Sequence, residues 1–166
     1  MTSPTSSSEQ SPAPAELSAA DIAALQQAVA AEHAAVFTYG LVLAHAQDHR
    51  RAQIQDHLAA HRDRRDHATA LLTGAGADVP AAAAGYTVDR VVDSPQAAAD
   101  LAVLIEEQTA QSWYALLESA RTAELRTLGA EALTDCAVRA ARWRVAAGIV
   151  PATTAFPGRP DQDSAR

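Results

Sequence analysis

The chain has 166 residues and a mass of 17.3 kDa, enough for one domain with a sizeable core. Alanine supplies about a quarter of it and aromatics 4%, which favours helices over sheet. A net charge of −7, a single cysteine (Cys136) and no apolar run near the roughly 20 residues of a membrane span argue against three classes: nonspecific nucleic-acid binders, disulfide or Cys-rich zinc frameworks, and membrane-spanning proteins.

Residues 1–16 are rich in Ser and Pro and are expected to be a disordered tail. They lack the basic start and apolar stretch of a secretory signal, so the expected location is cytoplasmic. The folded domain is expected over 17–158, with a flexible tail at 159–166.

Ser18 and Asp21 form a capping box that opens a first helix, about Ala19 to Ala46. Its seam runs through Ile22, Leu25, Val29, Glu32, Val36, Tyr39 and Leu43. A second helix is expected from a cap near Asp48 to Leu72, with Ile54, Leu58, His61, Arg65, Ala68 and Leu72 inward. Residues 73–93 carry Gly and Pro and read as a connection. Ser94 and Pro95 open a third helix reaching about Arg121, with Val103, Glu107, Ala110, Tyr114 and Leu117 on one stripe. The fourth spans about Ala123 to Val150 and stops at Pro151. In the segment beyond it, Phe156 is the residue expected to dock.

Short turns make antiparallel hairpins of helices one and two and of three and four. The middle connection, about 20 residues at roughly 3.3 Å each, reaches about 66 Å, and a 25-residue helix is only about 38 Å long. The expected fold is therefore all-α: a four-helix bundle of two hairpins joined by a long crossover.

A repeat sharpens the pattern. Glu32 precedes Tyr39 by seven residues and Glu107 precedes Tyr114 by seven, 75 positions later. Seven residues are two helical turns, so each Glu and Tyr share a face. The same offset maps His61 to Cys136 and Arg64 to Arg139. All six histidines lie between residues 33 and 67. The i,i+4 pairs His45/His49 and His57/His61 lack a third ligand of matching spacing and are expected at the solvated surface. Cys136 reads as a small core residue, and the tyrosines as core fillers with a hydroxyl partner.

The segments AAEHAAVFTYG, AAHRDRRDHATALL, VRAARWR and AFPG resemble an uncharacterised ferritin-like family of GC-rich bacteria, within the rubrerythrin-like superfamily; the resemblance spans residues 18–158. In metal-binding members of that superfamily, helices one and three each give a Glu, and helices two and four each give Glu-x-x-His. The resemblance implies that Glu32 and Glu107 match the single carboxylates. Where Glu-x-x-His is expected the chain has His61-Arg-Asp-Arg64 and Cys136-Ala-Val-Arg139. Two facing carboxylates in a core need compensation, and arginine supplies a planar, permanently charged fork. The expected core network is thus Glu32, Tyr39, His61, Arg64, Arg65, Glu107, Tyr114 and Arg139, with the choice between Arg64 and Arg65 open.

The expected function is a non-catalytic binding or interaction module without a cofactor or catalytic residue, whose homodimer forms through an alanine-rich helix face. Its protein or small-molecule partner is not identified by the sequence. The alternative is a metal-binding oxidoreductase or iron-handling protein, with a di-iron or other divalent centre from Glu32, His61 and Glu107, joined by His33 or Asp135.

Overall fold

A computed structural model describes residues 16–160; of the tails expected at 1–16 and 159–166, residues 1–15 and 161–166 lie outside the described residues. Four long helices account for most of it: α1 (Ala19–His45), α2 (Arg51–Gly74), α3 (Pro95–Ser119) and α4 (Ala123–Ala147). No strand occurs among the described residues.

Local chemistry sets the ends. At α1 the Asp21 amide donates to Ser18 Oγ at 3.2 Å and the Ser18 amide donates to Asp21 Oδ2 at 2.9 Å, so the capping box closes in both directions. Ser94 caps α3 with Pro95 in the first turn, and Thr122 caps α4. Asp48 does not cap α2: residues Asp48–Arg50 form a single 3₁₀ turn and the α-helix begins at Arg51. α4 ends before Pro151 because Gly148 takes the left-handed conformation (φ 72°) and its amide returns to the Arg144 and Val145 carbonyls.

α1 packs on both α2 and α3, and α3 packs on α4. Side-chain pairings give the directions. Glu32 meets His61 while Tyr39 meets His57, so α1 and α2 are antiparallel. Glu32 meets Trp113 and Tyr39 meets Glu106, so α1 and α3 are antiparallel too. Glu107 meets Arg144 while Gln96 meets Ala147, which reverses α4 against α3. The segment between α2 and α3 must then run the length of the helices, as its reach allows.

The apolar core falls into two halves. One gathers Leu25, Val29, Leu72, Trp113 and Leu125; the other gathers Val42, Ile54, Leu101, Ile105 and Trp143. A belt of fully buried polar side chains lies between them. Across the seam from α2 to α4, long side chains make the bridges: Arg64 reaches Asp135 at 3.5 Å, and His57 meets the Trp143 ring edge-on at 6.1 Å between centroids.

Candidate functional site

The belt is built around two carboxylates, Glu32 on α1 and Glu106 on α3, both with no solvent exposure. His61 of α2 lies between them. Its Nδ1 is 2.6 Å from Glu32 Oε2 and its Nε2 is 3.3 Å from Glu106 Oε1. With an acceptor on each ring nitrogen, the imidazolium form satisfies both. Arg64, one turn further along α2, donates from Nε to Glu32 Oε1 at 2.9 Å. Its Nη2 lies 3.0 Å from His61 Nδ1, a donor beside a donor, so Glu32 is the group that holds the two cations together.

The two helices exchange aromatic donors. Tyr39 of α1 donates its hydroxyl to Glu106 Oε1 at 2.5 Å, and Trp113 of α3 donates its indole N–H to Glu32 Oε1 at 2.7 Å. With its hydroxyl hydrogen directed at Glu106, the Tyr39 oxygen accepts from Trp143 Nε1 at 3.0 Å and from His57 Nδ1 at 3.1 Å. That fixes His57 as the neutral Nδ1–H tautomer.

Electrostatics follow from these contacts. Burial raises the Glu32 pKa, but the hydrogen bond and charge of His61, with Arg64, outweigh it and hold the carboxyl below its ordinary range. Glu106 is lowered likewise: burial is outweighed by His61, the Tyr39 hydroxyl and the Arg139 charge. Burial pulls the His61 pKa down, and its bonds to Glu106 and Glu32 more than reverse this. Burial, together with the charges of Arg139, His61 and Arg142, outweighs the pull of Glu106 and drops the His57 pKa to about 4. Burial and Glu106 push the Tyr39 hydroxyl and the Cys136 thiol well up, so neither supplies an anion at neutral pH.

Of the residues expected in the network, the structure brings together Glu32, Tyr39, His61 and Arg64. Arg65 turns outward to Asp66 at 2.7 Å, because the turn that points Arg64 inward carries its neighbour about 100° around the helix. Glu107 is not in the core. Its side chain is 36% exposed and pairs with Arg144 at 2.6 Å, and the adjacent Glu106 takes the inward position. Tyr114 moves with Glu107: it lies beside Glu118 and the C-terminal segment, outside the network. The metal set Glu32, His61 and Glu107 is therefore not assembled. Arg139 donates to Asp135 at 3.4 Å rather than to a core carboxylate, though its charge lowers Glu106. Among the described residues, buried Arg139 Nη1 and Glu106 Oε2 have no hydrogen-bond partner.

Four members were not identified from the sequence: Glu106, His57, Trp113 and Trp143. Glu106 and Trp113 are seven residues apart, the spacing of Glu32 and Tyr39, and an indole can donate as a phenol does. A search for any buried donor seven residues after a Glu finds both registers. His57 lies one turn before His61 and is 5% exposed, so the surface expected of His57 is corrected.

Among the described residues, no group of three or more His, Cys, Asp and Glu side chains is arranged to hold a metal ion. The His61 ring fills the space between Glu32 and Glu106, and a guanidinium lies on Glu32. Both are cations, and a divalent ion beside them would meet repulsion.

A family model described as "Domain of unknown function (DUF4439)" matches residues 24–161. The fold is similar to the crystal structure of a conserved hypothetical protein, rv2844, from Mycobacterium tuberculosis. The two are 40% identical with a TM-score of 0.76, over 79% of this chain and 99% of that one. A comparison with curated proteins gives no match.

Proposed function

The chain belongs to the family of that domain of unknown function, DUF4439, and from its buried belt we propose a non-catalytic, ferritin-like binding module in which charged side chains stand in place of a dimetal centre. The observation that carries this reading is the His61 ring, bonded to Glu32 and Glu106 at once, with Arg64 on Glu32. In a ferritin-like bundle the two single carboxylates come from helices one and three and need two cations between them. Here α1 and α3 provide Glu32 and Glu106, and an imidazolium and a guanidinium provide the positive charge. The long crossover between the hairpins supports the same fold assignment.

The belt also offers little for turnover. The phenol and thiol are held protonated, and His61 has both nitrogens engaged by carboxylates. A general base needs a free acceptor within reach of substrate, and the one unpartnered carboxylate oxygen of the pair, Glu106 Oε2, is buried. The role left to such a core is to hold four helices in one register, with recognition on the outer surface. A single inward set of matched charges specifies one alignment of the helices, as a buried polar group does in a coiled coil.

Metal analysis of protein purified without a His tag tests the reading. The expected content is below about 0.1 equivalent of iron, manganese or zinc per chain after incubation with each metal and desalting. Retention of about two equivalents that His61→Ala or Glu106→Gln abolishes would overturn it.

A further inference from the structure

A cleft of about 320 Å³ opens between α3, α4 and the segment that follows α4. That volume lies at the lower end of the range for small-molecule sites, roughly 300–1,000 Å³. Alanines line its base: Ala110 from α3, with Ala137, Ala140 and Ala141 from α4. The segment closes one side and is tied down at two points. Arg144 Nε donates to the Pro151 carbonyl at 3.0 Å. Gly158 packs so closely on α3 that a Cβ there would stand 2.6 Å from the Ala110 carbonyl oxygen.

The charged groups lining this space are Glu107 and Arg144, paired with each other at 2.6 Å. Arg144 spends Nε on Pro151 and Nη1 on Glu107 Oε1; a guanidinium carries five N–H donors and a carboxylate about four lone-pair sites, so each side chain keeps bonding capacity beyond these contacts. The cleft therefore presents a donor next to an acceptor, at zero net charge, beside an apolar base. A carboxylate entering it would be attracted by Arg144 and repelled by Glu107, and an ammonium would meet the reverse. A primary carboxamide donates and accepts at once and brings no charge that must be stripped of water.

We infer that this cleft binds a small apolar molecule ending in a primary carboxamide, its chain along the alanines and its amide on the Glu107–Arg144 pair. The inference rests on the binding-module reading above and gives that module its ligand class. Metal content tests the core and ligand titration tests the cleft, so the two can fail separately.

The experiment is a titration of octanamide into the full chain, followed by amide chemical shifts, with octanoate and octylamine as charged comparators. One saturable site per chain is expected, with the largest shifts around Ala137, Ala141 and Thr153, and at least fivefold weaker binding of both comparators. Ala141→Phe fills the cleft and should weaken octanamide at least tenfold while leaving the thermal midpoint in place. Ala137→Leu is the smaller block should the phenyl ring unfold the chain. Absence of saturation, equal binding by the blocked variants, or tighter binding of octanoate would overturn the inference. So would sedimentation showing a dimer that Ala141→Phe converts to monomer, since a second copy of the chain would then be the occupant.

Discussion

Glu106 and Glu107 differ by one position and by nearly everything else. The first has no exposure and takes hydrogen bonds from Tyr39 and His61; the second is partly in water with Arg144. Removing one charge from a buried set strands the other and costs about 3–5 kcal/mol, whereas an exposed pair contributes about 0–1. Glu106→Gln should therefore lower the urea-unfolding free energy by about 3 kcal/mol or more, and Glu107→Gln by under about 1 kcal/mol. Equal effects would place both carboxylates in the same environment. The sequence pattern was one residue out here because the matching Glu and Tyr at 107 and 114 repeat Glu32 and Tyr39 letter for letter. What the fold repeats is a function: a carboxylate and, two turns on, a buried donor, which Trp113 fills. On α2, the helix seam pointed to His61, while charge compensation pointed to an arginine and left Arg64 and Arg65 open, since phase alone cannot separate neighbours at the edge of a stripe.

Helix ends were legible where a short polar side chain caps them, as at Ser18 and Ser94, because the signal is local. The segment after α4 was less so. Phe156 was expected to dock for its bulk, yet it is 70% exposed with Arg159 over its ring, and Gly158 makes the contact instead. A docking point made by the absence of a side chain leaves no apolar signature. Gly158 has φ 76°, and an added Cβ would meet the Ala110 carbonyl, Leu133 at 2.8 Å and Tyr114 at 2.9 Å. Gly158→Ala should cost more than about 1 kcal/mol through the combined backbone and contact penalty. It should also free residues 150–158 for cleavage by a protease that leaves the wild-type segment intact. An unchanged midpoint together with unchanged cleavage would show that the segment is held by its other contacts alone.

Across the protein as a whole, two buried histidines displaced in opposite directions should set how stability varies with pH. His57 is held down at about 4 by burial, while an unfolded chain protonates it near 6.5. Between those values the unfolded state binds the extra proton, so the contribution of His57 is present above pH 6.5 and lost as pH falls toward 4. Its ceiling is about 3 kcal/mol, from about 1.4 kcal/mol for each pH unit that separates the two values. His61 runs the other way. Burial is outweighed by its bonds to Glu106 and Glu32, so its folded pKa stands above 6.5. Its contribution is complete below 6.5 and is lost as pH rises through the raised folded value. Glu32 and Glu106, both lowered, add a further loss only as pH falls below 4.5. Together these contributions place maximal stability near pH 6.5, with decline on both sides. Urea unfolding at half-unit steps from pH 4 to 9 measures the curve. His57→Asn keeps an N–H at the position of Nδ1 to serve Tyr39 but cannot titrate, so it should flatten the slope between pH 6.5 and 4.5 and leave the alkaline decline unchanged. A wild-type curve that rises or falls steadily through pH 6.5, or a His57→Asn curve with the acid slope intact, would remove the two histidines from this role.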